Sequence, residues 1–293
     1  MTRPLLPRHN RYDFVPLNER KNYDWPGGKR LAFVFTTNVE CFAFGAGLGH
    51  DPAKVGEPQT HRNYSWRDYG NRIGIWRLFE LLDELKMPAA HNTNSLIYDY
   101  APQVMDEIRR RGDEIVGHGH TNAERQADMD LETEAEMIAL VTARLHAEEG
   151  KAPRGWMGPW VNETHHTPEL LKRNGYTYVM DWMMDDQPIT LRTDDGPLIA
   201  LPYARPTNDI TALHRSRWTP AHWVDTLIDQ VQEMLLQSLR QPLVFNLSLH
   251  PYLMHAFRLK HLRRFFNYLD SVRDQIWIAR TGDIAQHVES LRL

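Results

Sequence analysis

The sequence is poor in cysteine and in long apolar runs. Its one cysteine is Cys41, which excludes an internal disulfide framework and a zinc site built from cysteines. Apolar runs such as Leu31–Phe35 are far shorter than the ~20 residues that cross a bilayer. The first residues also lack the apolar stretch of about 7–15 residues that marks a secretory signal. We therefore expect a cytoplasmic protein without a membrane partner.

An excess of positive charge is also absent. Lys and Arg total 34 against 38 Asp and Glu, which gives a net charge of −4. Nucleic-acid-binding proteins usually carry a basic stripe, so this balance argues against a nucleic-acid partner. Hydrophobic residues make up 42% and charged residues 25%, which is typical of a globular chain and excludes a disordered or collagen-like one. The 15 His and 9 Trp residues suit a pocket for a polar or planar small molecule.

Residues 1–28 differ in character from the rest of the chain. They are rich in Pro, Arg, Asn and Tyr, show no periodicity, and end in the turn signal Trp25–Gly28. We predict an N-terminal arm that wraps the domain or a neighbouring subunit. Residues 29–293 contain no internal repeat and no clear linker, so we predict that they form one domain.

Short apolar runs alternate with amphipathic segments of helical period over residues 29–293. We predict strands at 30–36, 88–93, 113–117, 154–157, 176–181, 198–202, 242–249 and 276–279, and helices at 69–86, 101–111, 131–149, 167–174, 220–240, 259–272 and 282–291. This alternation is typical of an α/β fold with a parallel sheet. Because no dinucleotide fingerprint is present, a barrel is favoured over a doubly wound sheet. Residues 38–67 are predicted to form a long functional loop.

Polar, titratable or aromatic residues follow almost every predicted strand. They include Asn38, Glu40, His118, His120, Asn122, Trp156, Trp160, Asp185, Asp186, Asn208, Asp209 and His250. In a parallel barrel, residues at the carboxyl ends of the strands converge on one face. The sequence therefore predicts one active site at that face.

These segments resemble the polysaccharide deacetylase (NodB homology) superfamily, and most of all its branch of metal-independent allantoinases and related cyclic-imide hydrolases. The segments that carry the resemblance are NVE at 38–40, YGNRIGIWRL at 69–78, GHGHTN at 117–122, GWMGPW at 155–160, YVMDWMMDDQP at 178–188, LSLHPY at 247–252 and TGDI at 281–284. The resemblance implies an irregular (β/α)7 barrel. It also implies a homo-oligomer, with a tetramer favoured.

The metal-dependent members of that superfamily use two aspartates in the first motif and His-x-x-x-His in the second. This sequence has Thr36 and Asn38 where the acids would lie, and Asn122 where the second histidine would lie. A neutral amide is a poor zinc ligand compared with carboxylate or imidazole. We therefore predict no metal cofactor. Zinc held by His118, His120 and Glu40 is the alternative.

Hydrolysis of a C–N bond without a metal needs an activated water, a stabilised oxyanion and a proton for the leaving nitrogen. We predict Glu40 as the general base, and His118 and His250 as the acid/base groups and oxyanion donors. The predicted substrate contacts are Asn38, Arg72, His120, Asn122, Trp156, Trp160, Asp185, Asp186 and Asn208. Each also has a structural interpretation: an ion pair for Arg72, packing under a loop for the tryptophans, and capping for the aspartates. Cys41 is interpreted as a small buried residue.

The predicted function is hydrolysis of a non-peptide C–N bond in a small molecule such as a cyclic ureide, an imide or an amide. Two alternatives remain open at this point. One is a zinc-dependent deacetylase of N-acetylated sugars, and the other is a catalytically inactive barrel that binds a ureide or a sugar.

Overall fold

The computed structural model describes residues 9–49 and 60–291, and within them a sheet of parallel strands is packed against helices. The strands are β1 (Leu31–Val39), β2 (Ala90–Thr93), β3 (Glu114–Gly117), β4 (Gly155–Trp156), β5 (Tyr178–Val179), β6 (Ile189–Leu191), β7 (Leu198–Ala200), β8 (Leu243–Leu249) and β9 (Ile276–Ala279). Their order is β6-β7-β5-β4-β3-β2-β1-β8, with β9 paired to β1. Every pairing is parallel except that of β6 with β7.

The helices alternate with these strands. They are α1 (His61–Tyr69), α2 (Ile75–Glu84), α3 (Ile97–Tyr100), α4 (Pro102–Arg111), α5 (Leu131–Glu149), α6 (Thr167–Arg173), α7 (Pro220–Ser238), α8 (Ala256–Ser271) and α9 (Thr281–Leu291). Two π-helical segments lie at Gly70–Gly74 and Ile210–Arg215. No helix in the described part of the chain is both long and apolar enough to span a membrane.

The alternation of parallel strands and helices confirms the predicted irregular (β/α) barrel. Strands β6 and β8 are the two ends of this order and are not paired with each other in the described part of the chain. One backbone hydrogen bond bridges the two sides, from the amide of Val244 to the carbonyl of Asp186 at 2.9 Å. Two local predictions were wrong. The antiparallel strand β6 was not predicted, and the predicted helix 69–86 begins earlier, at His61, and is interrupted by a π-helical turn.

The predicted loop 38–67 is shorter than expected where the structure describes it. Strand β1 continues to Val39, and α1 already starts at His61. Thr60 caps α1, because its side chain accepts a hydrogen bond from the Asn63 amide at 3.2 Å. Residues 50–59 of the predicted loop lie outside the described residues.

The described part of the predicted arm lies against the barrel. Arg11 forms an ion pair with Glu169 on α6, and Arg20 pairs with Asp185 through two contacts of 2.7 and 2.6 Å. Trp25 is buried, and its indole N–H donates to the carbonyl of Leu243 at 3.0 Å. Residues 1–8 of the arm lie outside the described residues.

Candidate active site

A cavity of about 390 Å³ opens among the loops that follow β1, β3, β7 and β8. Seven of the residues predicted from the sequence line it: Asn38, Glu40, His118, Asn122, Trp160, Asn208 and His250. A cavity of this size suits a small molecule. Its position agrees with the rule that the carboxyl ends of parallel strands converge on the site.

The alternation of side chains along β1 directs polar residues into this cavity. Phe33 and Phe35 pack against the phenylalanines of α8 at ring distances of 5.9 and 5.4 Å. The residues between and after them point the other way, because successive side chains of a strand face opposite sides. Asn38 therefore faces inward, where its amide donates to Ser248 Oγ at 3.2 Å, and Glu40 follows it into the cavity.

The carboxylate of Glu40 is buried and faced by three nitrogen groups. Its Oε1 lies 3.7 Å from His118 Nε2 and 3.8 Å from His250 Nε2. Its Oε2 lies 3.8 Å from Arg67 and accepts no hydrogen bond from a described residue. These separations are too long for direct hydrogen bonds. The carboxylate is thus faced by one guanidinium and two imidazoles, with one oxygen available to a bound molecule.

His118 is oriented by the chain that follows β4. Its Nδ1 lies 2.6 Å from the carbonyl oxygen of Met157. A carbonyl only accepts hydrogen bonds, so Nδ1 carries the proton and donates it. This bond turns Nε2 toward Glu40, and Nε2 has no hydrogen-bond partner among the described residues.

His250 is oriented by Asp209, which is buried behind it and does not line the cavity. The Asp209 carboxylate accepts from His250 Nδ1 at 2.8 Å and from the His250 backbone amide at 2.6 Å. This pair of bonds fixes the proton on Nδ1 and turns Nε2 toward Glu40 and Asn38. From the sequence, Asn208 was predicted as a substrate contact, and its neighbour Asp209 was not selected.

Charge and burial shift the pKa values of Glu40 and His250 in opposite directions. Burial raises the pKa of Glu40, but the polar contact with His118 and the charges of His250 and Arg67 outweigh it and leave the pKa below its ordinary value. Burial lowers the pKa of His250, yet Asp209 and Glu40 raise it to a net value above the ordinary one. A carboxylate and an imidazolium side by side suit a base and an acid.

Arg67 is a site residue that the sequence did not indicate. It is buried on α1 and donates a hydrogen bond to the Tyr252 hydroxyl. Its guanidinium carbon lies 4.7 Å from the ring centres of Phe42 and Trp66 and 4.4 Å from that of Tyr252. Contacts with aromatic faces stabilise a buried guanidinium. Arg67 was not predicted, because it lies in the segment 38–67 that was expected to be a loop.

Close backbone packing holds α1 and the π-helical turn beside the site. A Cβ added at Gly74 would lie 1.8 Å from the Pro251 carbonyl oxygen, and one at Gly70 would lie 2.8 Å from the Tyr252 amide nitrogen. Only glycine permits this approach. The same turn places Asn71, whose amide donates to the Glu40 carbonyl at 2.8 Å.

Five predicted substrate contacts do not line the cavity. Arg72 is exposed on the π-helical turn, because its neighbour Asn71 occupies the face toward Glu40. His120 turns aside to Ser95, whose hydroxyl lies 2.8 Å from its Nδ1. Asp185 pairs with Arg20, and Asp186 lies with it on a separate cavity of about 440 Å³ near the open side of the sheet.

Trp156 is the fifth, and it belongs to the core. It is completely buried and packs edge-to-face on Tyr176 at 5.4 Å, because its side chain points away from the cavity. Trp160 lies beyond the strand and does line the cavity, where its indole N–H donates to the Asn122 carbonyl at 3.1 Å.

This difference predicts that substitutions of the two tryptophans have different effects. We expect Trp156→Ala to lower the free energy of unfolding by about 3–5 kcal/mol, because it leaves a large cavity in the core. Trp160→Ala should lower it by much less and act mainly on KM for the substrate. Urea unfolding of both variants measures the difference. Equal losses of stability would contradict the core assignment of Trp156.

The donor set at the two expected metal-ligand positions does not suit zinc. The amide oxygen of Asn38 already accepts from Asn92 at 2.8 Å, and that of Asn122 from Asn94 at 2.9 Å. Across residues 9–49 and 60–291, no group of three or more His, Cys, Asp or Glu side chains is arranged to hold a metal ion. Cys41 is buried, and burial raises the pKa of its thiol to about 12.

Comparisons with known proteins find deacetylases among the proteins that are similar to this chain. A peptidoglycan deacetylase of Helicobacter pylori is 27% identical over 129 residues, which span 44% of this chain and 44% of that protein. A candidate polysaccharide deacetylase of Schizosaccharomyces pombe is 23% identical over 286 residues, 90% of this chain and 87% of that protein. No family model matches the sequence.

Solved structures of similar proteins match this chain over almost its full length. Candidate polysaccharide deacetylases of Mycobacterium smegmatis and Pseudomonas aeruginosa are 27% and 26% identical, with TM-scores of 0.77 and 0.81. The matches cover 94% and 92% of this chain and 95% and 94% of those chains. A Puue allantoinase has the same fold, with a TM-score of 0.79 at 24% identity over 94% of both chains. These matches show that the chain is similar in sequence and fold to polysaccharide deacetylases over most of its length.

Proposed function

We propose that this chain hydrolyses a non-peptide C–N bond in a small ureide, imide or amide, as an allantoinase does. The observation that supports this most is the arrangement of Glu40 between His118 and His250, with Asp209 behind His250. Such a set contains a base, an acid and an oxyanion donor around one cavity. The fold shared with an allantoinase is consistent with the same reaction class.

In the proposed first step, Glu40 takes a proton from a water molecule and the resulting hydroxide adds to the substrate carbonyl carbon. The low pKa of Glu40 keeps it ionised and ready to accept that proton at neutral pH. The developing oxyanion requires a donor. His118 is the proposed donor, because its Nε2 faces the cavity without a hydrogen-bond partner among the described residues while its Nδ1 donates to Met157.

In the proposed second step, the C–N bond breaks and the leaving nitrogen takes the Nε2 proton of His250. The Asp209 carboxylate stabilises the imidazolium before this transfer, because it lies 2.8 Å from Nδ1. The products are a carboxylic acid and an amine or amide nitrogen. The proton of the new acid returns to His250, and Glu40 releases its proton to solvent.

We further propose that no resident metal takes part. The support is the chemistry of the donor set, in which Asn38 and Asn122 use their amide oxygens within the protein. A metal-dependent deacetylase of N-acetylated sugars is the second candidate, because relatives of this chain have deacetylase names. The cytoplasmic location and the homo-oligomer also stay predictions.

The proposed function is tested by turnover of allantoin after the protein is stripped with a chelator and its metal content is measured. We expect hydrolysis to continue in metal-free protein, because Glu40 and the two histidines supply all the proton transfers. Activity that returns only with added zinc would favour the deacetylase. No hydrolysis of allantoin, other cyclic imides or N-acetylated sugars in either state would contradict catalysis and favour an inactive binding barrel.

A further inference from the structure

The cavity has a positive lining in a protein with a net charge of −4. Among the described residues that line it are the four arginines Arg67, Arg125, Arg205 and Arg215, but only one carboxylate, Glu40. A cavity lined by one sign of charge raises the local concentration of ligands of the other sign. The lining thus favours a negatively charged ligand.

Two of the four arginines have carboxylate partners and two do not. Arg67 lies 3.8 Å from Glu40, and Arg125 lies 3.8 Å from Asp128. Arg205 and Arg215 are exposed at the mouth and form no ion pair with any residue in 9–49 or 60–291. Arg215 acts on a neighbouring side chain: burial lowers the pKa of His214, and the charges of Arg67 and Arg215 lower it further.

Arg205 and Arg215 lie at the two ends of the segment 205–215, which forms one wall of the cavity. Its middle is fixed to the site by the two hydrogen bonds from His250 to Asp209. Thr211 on the same segment lines the cavity, and its Oγ1 is buried without a hydrogen-bond partner among the described residues. Two guanidinium groups and a hydroxyl therefore border the same wall.

We infer that Arg205, Arg215 and Thr211 form an anion subsite that binds a carboxylate of the substrate while the scissile C–N bond lies at Glu40. This inference rests on the proposed function and narrows its substrate to small ureides or amides that carry a carboxylate. A guanidinium group binds a carboxylate through two parallel hydrogen bonds, and the threonine hydroxyl adds a third donor. A neutral ureide offers neither guanidinium a carboxylate.

The test compares two substrates that differ only in charge, hydantoin-5-acetic acid and hydantoin-5-acetamide. We expect the wild-type protein to prefer the carboxylate compound, and R205Q/R215Q to lose about ten-fold or more in kcat/KM for it, mainly through KM. The loss for the amide compound should be much smaller. R240Q is a charge control, since Arg240 is also exposed but does not line the cavity. Added salt should raise KM for the carboxylate compound only.

A binding measurement separates failure of this inference from failure of the proposed function. Calorimetry with both compounds on wild type, R205Q/R215Q and R240Q requires no turnover. Tighter binding of the carboxylate compound that only R205Q/R215Q weakens supports the subsite even if neither compound is hydrolysed. Equal binding of the two compounds, no binding of the carboxylate compound, or an equal loss in R240Q overturns it. Turnover that does not depend on Glu40 contradicts the proposed function instead.

Discussion

Replacing Glu40 by Gln should reduce kcat by about 10²–10⁴-fold, the range that a positioned general base contributes. The amide keeps the size of the carboxylate but cannot accept a proton from water. Another carboxylate cannot take over this role, because Glu40 is the only acid among the described residues that line the cavity. Steady-state turnover of the best substrate, with circular dichroism to verify the fold, measures the effect.

Glu114→Gln is the matched control for this substitution. Glu114 is half-buried and accepts hydrogen bonds from Tyr178 at 2.9 Å and from the Gly282 amide at 2.7 Å. It lies at the start of β3, whereas His118 follows the end of that strand. The same chemical change there should leave turnover close to wild type. A Glu40→Gln protein that retains wild-type kcat would show that another group activates the water.

Replacing Asp209 by Asn should lower kcat by about 10²-fold or more and change the pH dependence as well. The Asp209 carboxylate raises the pKa of His250, and the imidazolium is the form that protonates the leaving nitrogen. Activity is therefore present below the His250 pKa and is lost as the pH rises through it. Without the carboxylate charge that pKa falls, so the alkaline limb of kcat/KM moves to lower pH.

The acid limb provides the internal control for Asp209→Asn. It reports Glu40, whose pKa lies below its ordinary value because of His118, His250 and Arg67. Activity is lost there as the pH falls through the Glu40 pKa, and the substitution should move this limb much less than the alkaline one. A lower kcat with both limbs unchanged would mean that Asp209 is needed only for structure.

The barrel was predictable because its strongest elements have clear local patterns. Helix α5 matches the prediction at both ends, 131–149, since Asp130 caps its start and Gly150 ends it in the left-handed region at φ 68°. The apolar run of β8 was equally clear. Strand β6 was missed because Ile189–Leu191 is short and only partly buried, and its antiparallel pairing with β7 depends on tertiary contacts.

The convergence of three candidate residues on one cavity was predictable, because the end of a strand alone determines where each one lies. Glu40, His118 and His250 follow β1, β3 and β8, and all three reach the cavity. Arg67 and Asp209 were not selected, because their importance depends on rings and a histidine far away in sequence. Trp156 and Trp160 were treated alike, although the direction of the side chains separates a core position from a cavity position.

The position of Asp209 inside the segment 205–215 joins two tasks that many enzymes keep on separate loops. The residues that border the mouth and the residue that fixes the His250 ring belong to one short stretch of chain. An insertion or deletion within this stretch would displace the proton donor along with the ligand contacts. New substrate preferences can therefore evolve here by exchanging side chains at 205, 211 and 215 more easily than by changing the length of the loop.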